Sequence, residues 1–356
     1  MAEVLLLGVT HFPRLRLPDD QWNLLFLKML SDPGVPPEAR DPASWPEGLR
    51  TEWSDDKGLR AAAKQRAALV ADFRLVRAEL DRFNPDFVLI WGDDQYENFR
   101  EDGVPPFAVL AYESQKIQPW KHSPDGPKTV AADIWNEGPD FSFDVNFHRP
   151  AAKYLTSALL DKGFDITYAY RPRHIALGHA FMNTVLYLDY DRVGFPWKIV
   201  PFSVNCYGRI VLSQRGAPVG ISKATAEADM DPTSPLPWRC FDLGRACIQA
   251  LAQSPWKVAV IASSSWSHAF FTRKNYFLYP DVEADKHLFD HLVKGNYEPW
   301  RSRSLVDIES SGQQEILNWV CLAGALAELK LVPRYANFHE SYMFNSPKVF
   351  LVAGGD

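Results

Sequence analysis

Four short, continuous apolar runs constrain this chain more than any other feature. Residues 4–9 (VLLLGV) end at Thr10-His11-Phe12-Pro13, and residues 87–91 (FVLIW) end at Gly92-Asp93-Asp94-Gln95. Residues 258–262 (VAVIA) empty into Ser263-Ser-Ser-Trp-Ser-His268, and residues 198–204 (KIVPFSV) precede a polar loop at about 208–236. An apolar run without alternation is the mark of a strand covered on both faces, as in sheets that carry helices on either side. Helical periodicity lies between the runs. From Gly58 to Phe83 the Ala, Leu and Val spacing with interleaved charges predicts one long amphipathic helix, stopped by Asn84-Pro85-Asp86. Further helices are expected over 149–162, 180–188, 239–253 and 313–329, and a further strand over 164–168. The expected fold is α/β, a central mixed β-sheet flanked by helices with the active site at the C-terminal strand ends. We expect a single catalytic domain over 1–356 with long loops at about 34–56, 100–147 and 206–236. The 100–147 stretch, rich in Pro, Gly, Asp and aromatics, is expected to form a lid or pocket wall.

Composition narrows the function classes. Among 356 residues 46% are hydrophobic and 23% charged, ordinary for a chain with a sizeable core, and the net charge is −6. No Lys/Arg block could neutralise a run of phosphates, so nucleic acid is not an expected partner. No stretch approaches the roughly 20 apolar residues that span a bilayer, and residues 4–7 are too short a run for a signal sequence. A cytoplasmic protein without a membrane partner is expected, with a homodimer plausible by base rate. Cys206, Cys240, Cys247 and Cys321 lack CxxC spacing, so buried free thiols are expected rather than a disulfide framework or a zinc knuckle.

Three strands deliver polar residues at their C-terminal ends: His11, the Asp93-Asp94-Gln95 turn, and His268. That edge is where ligands bind in open α/β sheets. Glu315, in the first turn of a helix, is a fourth candidate. Histidine and carboxylate together, with open positions, suit Fe(II). Each residue also has a plain structural role open to it. His11 fits a loop cap, Asp93-Asp94 fits turn chemistry, and Glu315 fits a carboxylate at a helix N-terminus. His268 fits a satisfied supporting group, and Ser263 to Ser265 an anion-binding turn. His122, His148, His174, His287, His291 and His339 are expected to be surface or packing residues.

The order and flanking residues of these candidates resemble the class III extradiol ring-cleavage dioxygenases, the group of the protocatechuate 4,5-dioxygenase catalytic subunit, and within it the 3-O-methylgallate dioxygenase type. The motifs are Gly8-Val-Thr-His11, residues 85–95 (PDFVLIWGDDQ) with Phe99, residues 105–108 (PPFA), Gly178-His-Ala-Phe181, residues 200–205 (VPFSVN), 239–245 (RCFDLGR), 258–268 and 311–319 (SGQQEILNW), with 323–325 (AGA). The resemblance implies a non-haem Fe(II) centre, O₂ as co-substrate and a small catechol- or gallate-like aromatic substrate. By motif it assigns His11 and Glu315 to the metal, His268 to the substrate hydroxyl, and His179 to substrate binding or oxygen chemistry. The family's second iron histidine falls at Gln95, so the Gln95 oxygen or the Asp94 carboxylate is expected to complete the metal set. Arg100, Arg171, Arg173 and Arg273 are candidates for pairing a substrate carboxylate. A Memo-type binding protein of the same fold is the second reading, and a metal-dependent hydrolase using His11, Asp94 and Glu315 the third.

Overall fold

A computed structural model describes residues 3–120 and 133–355. His122 lies outside these. The strands are β1 Val4–Val9, β2 Phe87–Asp93, β3 Phe107–Leu110, β4 Gln115–Ile117, β5 Phe143–Val145, β6 Thr167–Ala169, β7 Lys198–Val204, β8 Val258–Ser263, β9 Tyr335–His339 and β10 Lys348–Gly354. Eight of them form one sheet in the order β6-β3-β7-β2-β8-β1-β10-β9, and β4 and β5 make a separate hairpin pair. The centre, β7-β2-β8-β1, is parallel. β10 closes the β1 side antiparallel, and β3 runs antiparallel to β7 on the other side. This is the mixed α/β sheet expected.

The helices are α1 Leu24–Leu30, α2 Pro37–Arg40, α3 Glu47–Trp53, α4 Leu59–Phe83, α5 Arg149–Asp161, α6 His179–Leu188, α7 Pro237–Leu251, α8 Val282–Val293, α9 Glu298–Ser302, α10 Leu305–Ser310 and α11 Ile316–Leu329. Alternate strand residues feed two cores. Leu5, Leu7 and Val9 pack with α4 and α6, whereas Leu6, Leu89 and Trp91 pack with α5, α7 and α11. Fully burying each such side chain stabilises by about 1.5–3 kcal/mol, which is why the central strands are apolar throughout. On α4 the buried Leu69, Phe73, Val76, Leu80 and Phe83 recur at helical spacing, and Asn84 ends the helix at φ 45. α7 and α11 cross closely because glycines face each other's backbones: a Cβ on Gly244 would strike the Cys321 carbonyl, and one on Gly324 the Phe241 carbonyl.

Several boundaries differ from the sequence expectation. β6 begins at Thr167, not 164, because Gly163 at φ 84 lets the Phe164 amide return to the Leu159 carbonyl and finish α5. α11 begins at Ile316, so Glu315 is its N-cap rather than part of its first turn. The 34–56 segment holds α2 and α3, and the described part of 100–147 holds β3, β4 and β5. β9 and β10 occupy the β1 edge, where the KVFLVAG run of β10 is buried from Lys348 to Ala353. Among the described residues no helix is long and apolar enough to cross a membrane.

Candidate active site and metal centre

The parallel strands present their C-terminal ends at one edge, and α6, α11 and the β8–α8 connection close over it. His11 follows β1. Its Nδ1 lies 3.0 Å from the Ser263 carbonyl, and the Asn183 amide donates to the His11 carbonyl at 3.1 Å. With Nδ1 donating to Ser263, Nε2 is the lone-pair nitrogen. It stands 3.6 Å from Asp93 Oδ1 and 3.6 Å from Glu315 Oε2. Burial, then the neighbouring His179 and His268, hold the His11 pKa well below the usual range, so the ring is neutral.

Asp93, not Asp94, faces this nitrogen. β2 continues to residue 93, and strand alternation puts Asp93 on the same face as Leu89 and Trp91, toward α11. Asp94 turns away, and its carboxylate accepts from the backbone amides of Glu97, Asn98 and Phe99 at 2.9, 2.8 and 3.3 Å. Of the two roles weighed for the acidic pair, turn chemistry therefore describes Asp94. Gln95 lies on the pocket wall and donates from Nε2 to Glu315 Oε1 at 3.4 Å.

Glu315 collects the rest. Tyr207 donates to its Oε1 at 2.6 Å, and His268 Nε2 stands 3.3 Å from the same oxygen. Burial, then the nearby Asp93 carboxylate, push its pKa well up, and burial raises Asp93 to about 6. Glu315 Oε2 and both Asp93 oxygens are buried with no hydrogen bond of normal geometry. Orphaned buried carboxylate oxygens around a lone-pair imidazole nitrogen are what a cation would satisfy. His11, Asp93 and His179 also place ligand atoms within 4.8 Å of one another. The donor set present thus fits a divalent metal.

Two further histidines complete the site. His268 Nδ1 is held by the Trp266 carbonyl at 2.8 Å, leaving Nε2 toward the pocket, and burial lowers its pKa to about 3. His179 opens α6 and stands edge-on to His11 with ring centroids 4.9 Å apart. Its Nδ1 meets Glu97 Oε2 at 2.9 Å. Burial alone would depress the His179 pKa, but the carboxylates of Glu97 first, then Asp93 and Glu315, outweigh it and the value rises to about 9.

The structure therefore brings His11, Gln95, His179, His268 and Glu315 to one pocket, together with Phe12, Arg14, Arg16, Phe270 and Asn345. Arg14 and Arg16, from the turn after His11, are the cations in its wall. Arg171 and Arg173 line a separate cleft with Asp102, and Arg273 another beside Tyr207. Arg100 lies over the Tyr96 ring. Of the described part of 100–147, Pro119 and Trp120 contact Arg16 from behind, and residues 121–132 lie outside the description. The serine-rich turn is not an open anion site. Ser263 Oγ meets His11, Ser264 donates to the Glu315 carbonyl, and Ser265 pairs with Thr10. Sequence reasoning named the Asp93-Asp94-Gln95 turn but took Asp94 and Gln95 from it for the metal, and it missed Glu97 and Tyr207. For Asp93 the signal was available, since one more strand residue after Gly92 reverses which aspartate faces the core.

Comparisons with known proteins bear on the family the chain resembles. Residues 230–350 match the family model described as the catalytic LigB subunit of aromatic ring-opening dioxygenase. Among curated proteins, the chain is similar to a 2,3-dihydroxyphenylpropionate/2,3-dihydroxicinnamic acid 1,2-dioxygenase of Comamonas testosteroni, 24% identical over 207 residues, which cover 58% of this chain and 50% of that protein. A protein of the same name from Photorhabdus laumondii is 23% identical over 198 residues, 55% of this chain and 47% of that one. A third, from Azotobacter vinelandii, is 25% identical over 151 residues, 42% and 39% respectively. The chain spans half or less of the length of the curated relatives it matches. With the LigB match covering β8, Glu315 and the start of β10, the chain is similar over that third of its length to the class III extradiol dioxygenases.

Proposed function

We propose that the chain is a non-haem Fe(II)-dependent extradiol-type dioxygenase that opens a catechol- or gallate-like ring with O₂, in the manner of the 3-O-methylgallate type. The observation that carries this reading is that both Asp93 oxygens and Glu315 Oε2 are buried without a hydrogen bond of normal geometry around His11 Nε2. In this reading His11, Asp93 and Glu315 hold the metal with Gln95 beside them, and Asp94 shapes the turn. Iron bound there supplies Lewis acidity toward two adjacent ring oxygens and the redox chemistry that O₂ requires.

The chain's own groups do the remaining work. His268 Nε2, neutral and aimed into the pocket, accepts the proton of a ring hydroxyl. His179, held protonated by Glu97, is placed to return one during ring opening. Phe12, Leu25 and Phe270 wall the ring and exclude water. The substrate is a small aromatic molecule, the expected location is cytoplasmic, and the domain is a single catalytic unit over 1–356. The test is anaerobic addition of catechols, gallates and aminophenols to the Fe(II)-loaded protein, followed by O₂. Stoichiometric O₂ uptake with a yellow ring-opened product is expected, and absence of uptake across the panel would sink the assignment.

A further inference from the structure

Outside the pocket Asp285, in the first turn of α8, is a fully buried acidic residue. Its carboxylate accepts from three neutral groups: the Ser267 amide at 3.0 Å and the Ser267 hydroxyl at 2.6 Å on Oδ2, and Gln313 Nε2 at 2.6 Å on Oδ1. Gln313 in turn accepts at Oε1 from Arg303 Nη2 at 2.6 Å. Placing a carboxylate in the interior is costly, and a neutral or apolar side chain would fill the space at lower cost. The two loops it ties explain its use. Ser267 precedes His268, and Gln313 lies two residues before Glu315. The same loops are joined by the His268 amide to the Gly312 carbonyl at 2.8 Å. Gly312 adopts φ 67 there, and a Cβ would meet the Thr272 hydroxyl.

The polarity of this chain of bonds is determined. Arg303 only donates, so Gln313 must turn its oxygen to Arg303 and its NH₂ to position 285. The Ser267 amide also only donates. Position 285 must therefore accept on both sides, which a carboxylate does and an amide does not.

We propose that Asp285 is a positioning residue that, through Ser267 and Gln313, fixes His268 against Glu315. The inference rests on the reading of His268 and Glu315 as members of the reaction site. Asp285 touches neither substrate nor metal and acts through the two loops.

The polarity argument supplies the test. In D285N one NH₂ must oppose either the Gln313 NH₂ or the Ser267 amide. In D285N/Q313E the new side-chain amide at position 285 donates to a carboxylate at position 313 that also accepts from Arg303, and the oxygen of that amide still takes both Ser267 donors. For D285N we expect cooperative unfolding, KM within about threefold of wild type, and kcat down by on the order of 10- to 100-fold, as for a small misplacement of a reacting group. D285N/Q313E should recover most of that loss. Imidazole ¹⁵N spectra of the metal-free proteins give a readout that does not depend on turnover. Wild type and the double variant should keep a fixed Nδ1–H tautomer at His268, and D285N should lose it. Wild-type protein that consumes no O₂ with any catechol removes the functional assignment, and the tautomer comparison then decides the positioning role alone. A folded D285N with wild-type kcat and tautomer overturns the proposal, as does a folded double variant no better than D285N. If D285N fails to fold, the double variant alone decides.

Discussion

Asp93 Oδ1 lies 3.6 Å from His11 Nε2, while the adjacent Asp94 spends its carboxylate on three backbone amides. The two aspartates should therefore respond in opposite ways to the same substitution. Asp93→Asn removes a charged oxygen from the proposed metal set and should lower retained metal by at least about tenfold with little loss of Tm. Asp94→Asn keeps one acceptor for the turn and should retain the metal, while destabilising by roughly 1–3 kcal/mol through a carboxylate-to-amide bond lost. Metal content after dialysis, read beside thermal melts, separates them. Loss of metal in the Asp94 variant with full retention in the Asp93 variant would reverse the assignment.

Glu97 sets the charge on His179. Burial pulls this imidazole's pKa down, and the carboxylate 2.9 Å from Nδ1, with Asp93 and Glu315 adding to it, carries it up to about 9. Glu97→Gln keeps an acceptor oxygen and removes the nearest of the three carboxylates that oppose burial, leaving Asp93 and Glu315. In the metal-free protein the His179 titration should then fall below about 9. Histidine NMR titrations of both proteins check this, and an unchanged midpoint would show that Glu97 is not the cause.

How far the sequence revealed this site depends on whether a residue's signal was local. His11, His268 and the sheet centre were legible because each lies at the end of an apolar run, and a run buried on both faces reads as a strand without knowledge of its partners. Asp93 was not, since its face depends on whether β2 stops at 91 or 93, and one residue inverts the side chain. Glu97, Tyr207 and Asp285 are ordinary polar residues in sequence. Their importance comes from contacts across 82, 108 and 18 positions respectively, which no local pattern encodes. β9 and β10 were missed because their role is to cover the β1 edge, a tertiary demand. The pocket arginines were not legible for a similar reason: Arg14 and Arg16 sit in a short turn whose only distinction is that it follows His11.

Arg14 gives a specificity prediction under the proposed function. It lines the pocket wall, with one guanidinium nitrogen also donating to the Gln21 carbonyl at 3.0 Å. A guanidinium with several donors can hold that carbonyl and a ligand carboxylate together. Arg14→Met should raise KM for a ring-carboxylated catechol by about 10- to 100-fold, the equivalent of one charge-assisted hydrogen bond of about 1.5–3 kcal/mol, and leave KM for unsubstituted catechol within about threefold. Parallel KM changes for both substrates would show that the residue does not read the carboxylate.

Lys348 and Glu52 link stability to pH in opposite directions. Lys348 is fully buried, donating to Gln65 at 3.1 Å and to the Phe344 carbonyl at 3.0 Å, with its ammonium 4.0 Å from the Phe12 ring centroid. Burial lowers its pKa to about 7 from the ordinary 10.5. Between those values the unfolded chain holds a proton that the folded chain has released, so stability rises with pH from about 7 upward. Glu52 accepts from the Tyr342 and Met343 amides, and burial raises its pKa to about 7 from 4.5. Between those values the folded chain holds the extra proton, so stability falls as pH rises toward 7. Each group also favours the other's charged form, so the two titrate as a pair near neutrality. Tm measured from about pH 5 to 10 should fall less steeply below 7 in Glu52→Gln than in wild type, and rise less steeply above 7 in Lys348→Met. Slopes unaltered in both variants would show that neither group titrates in the folded protein over this range.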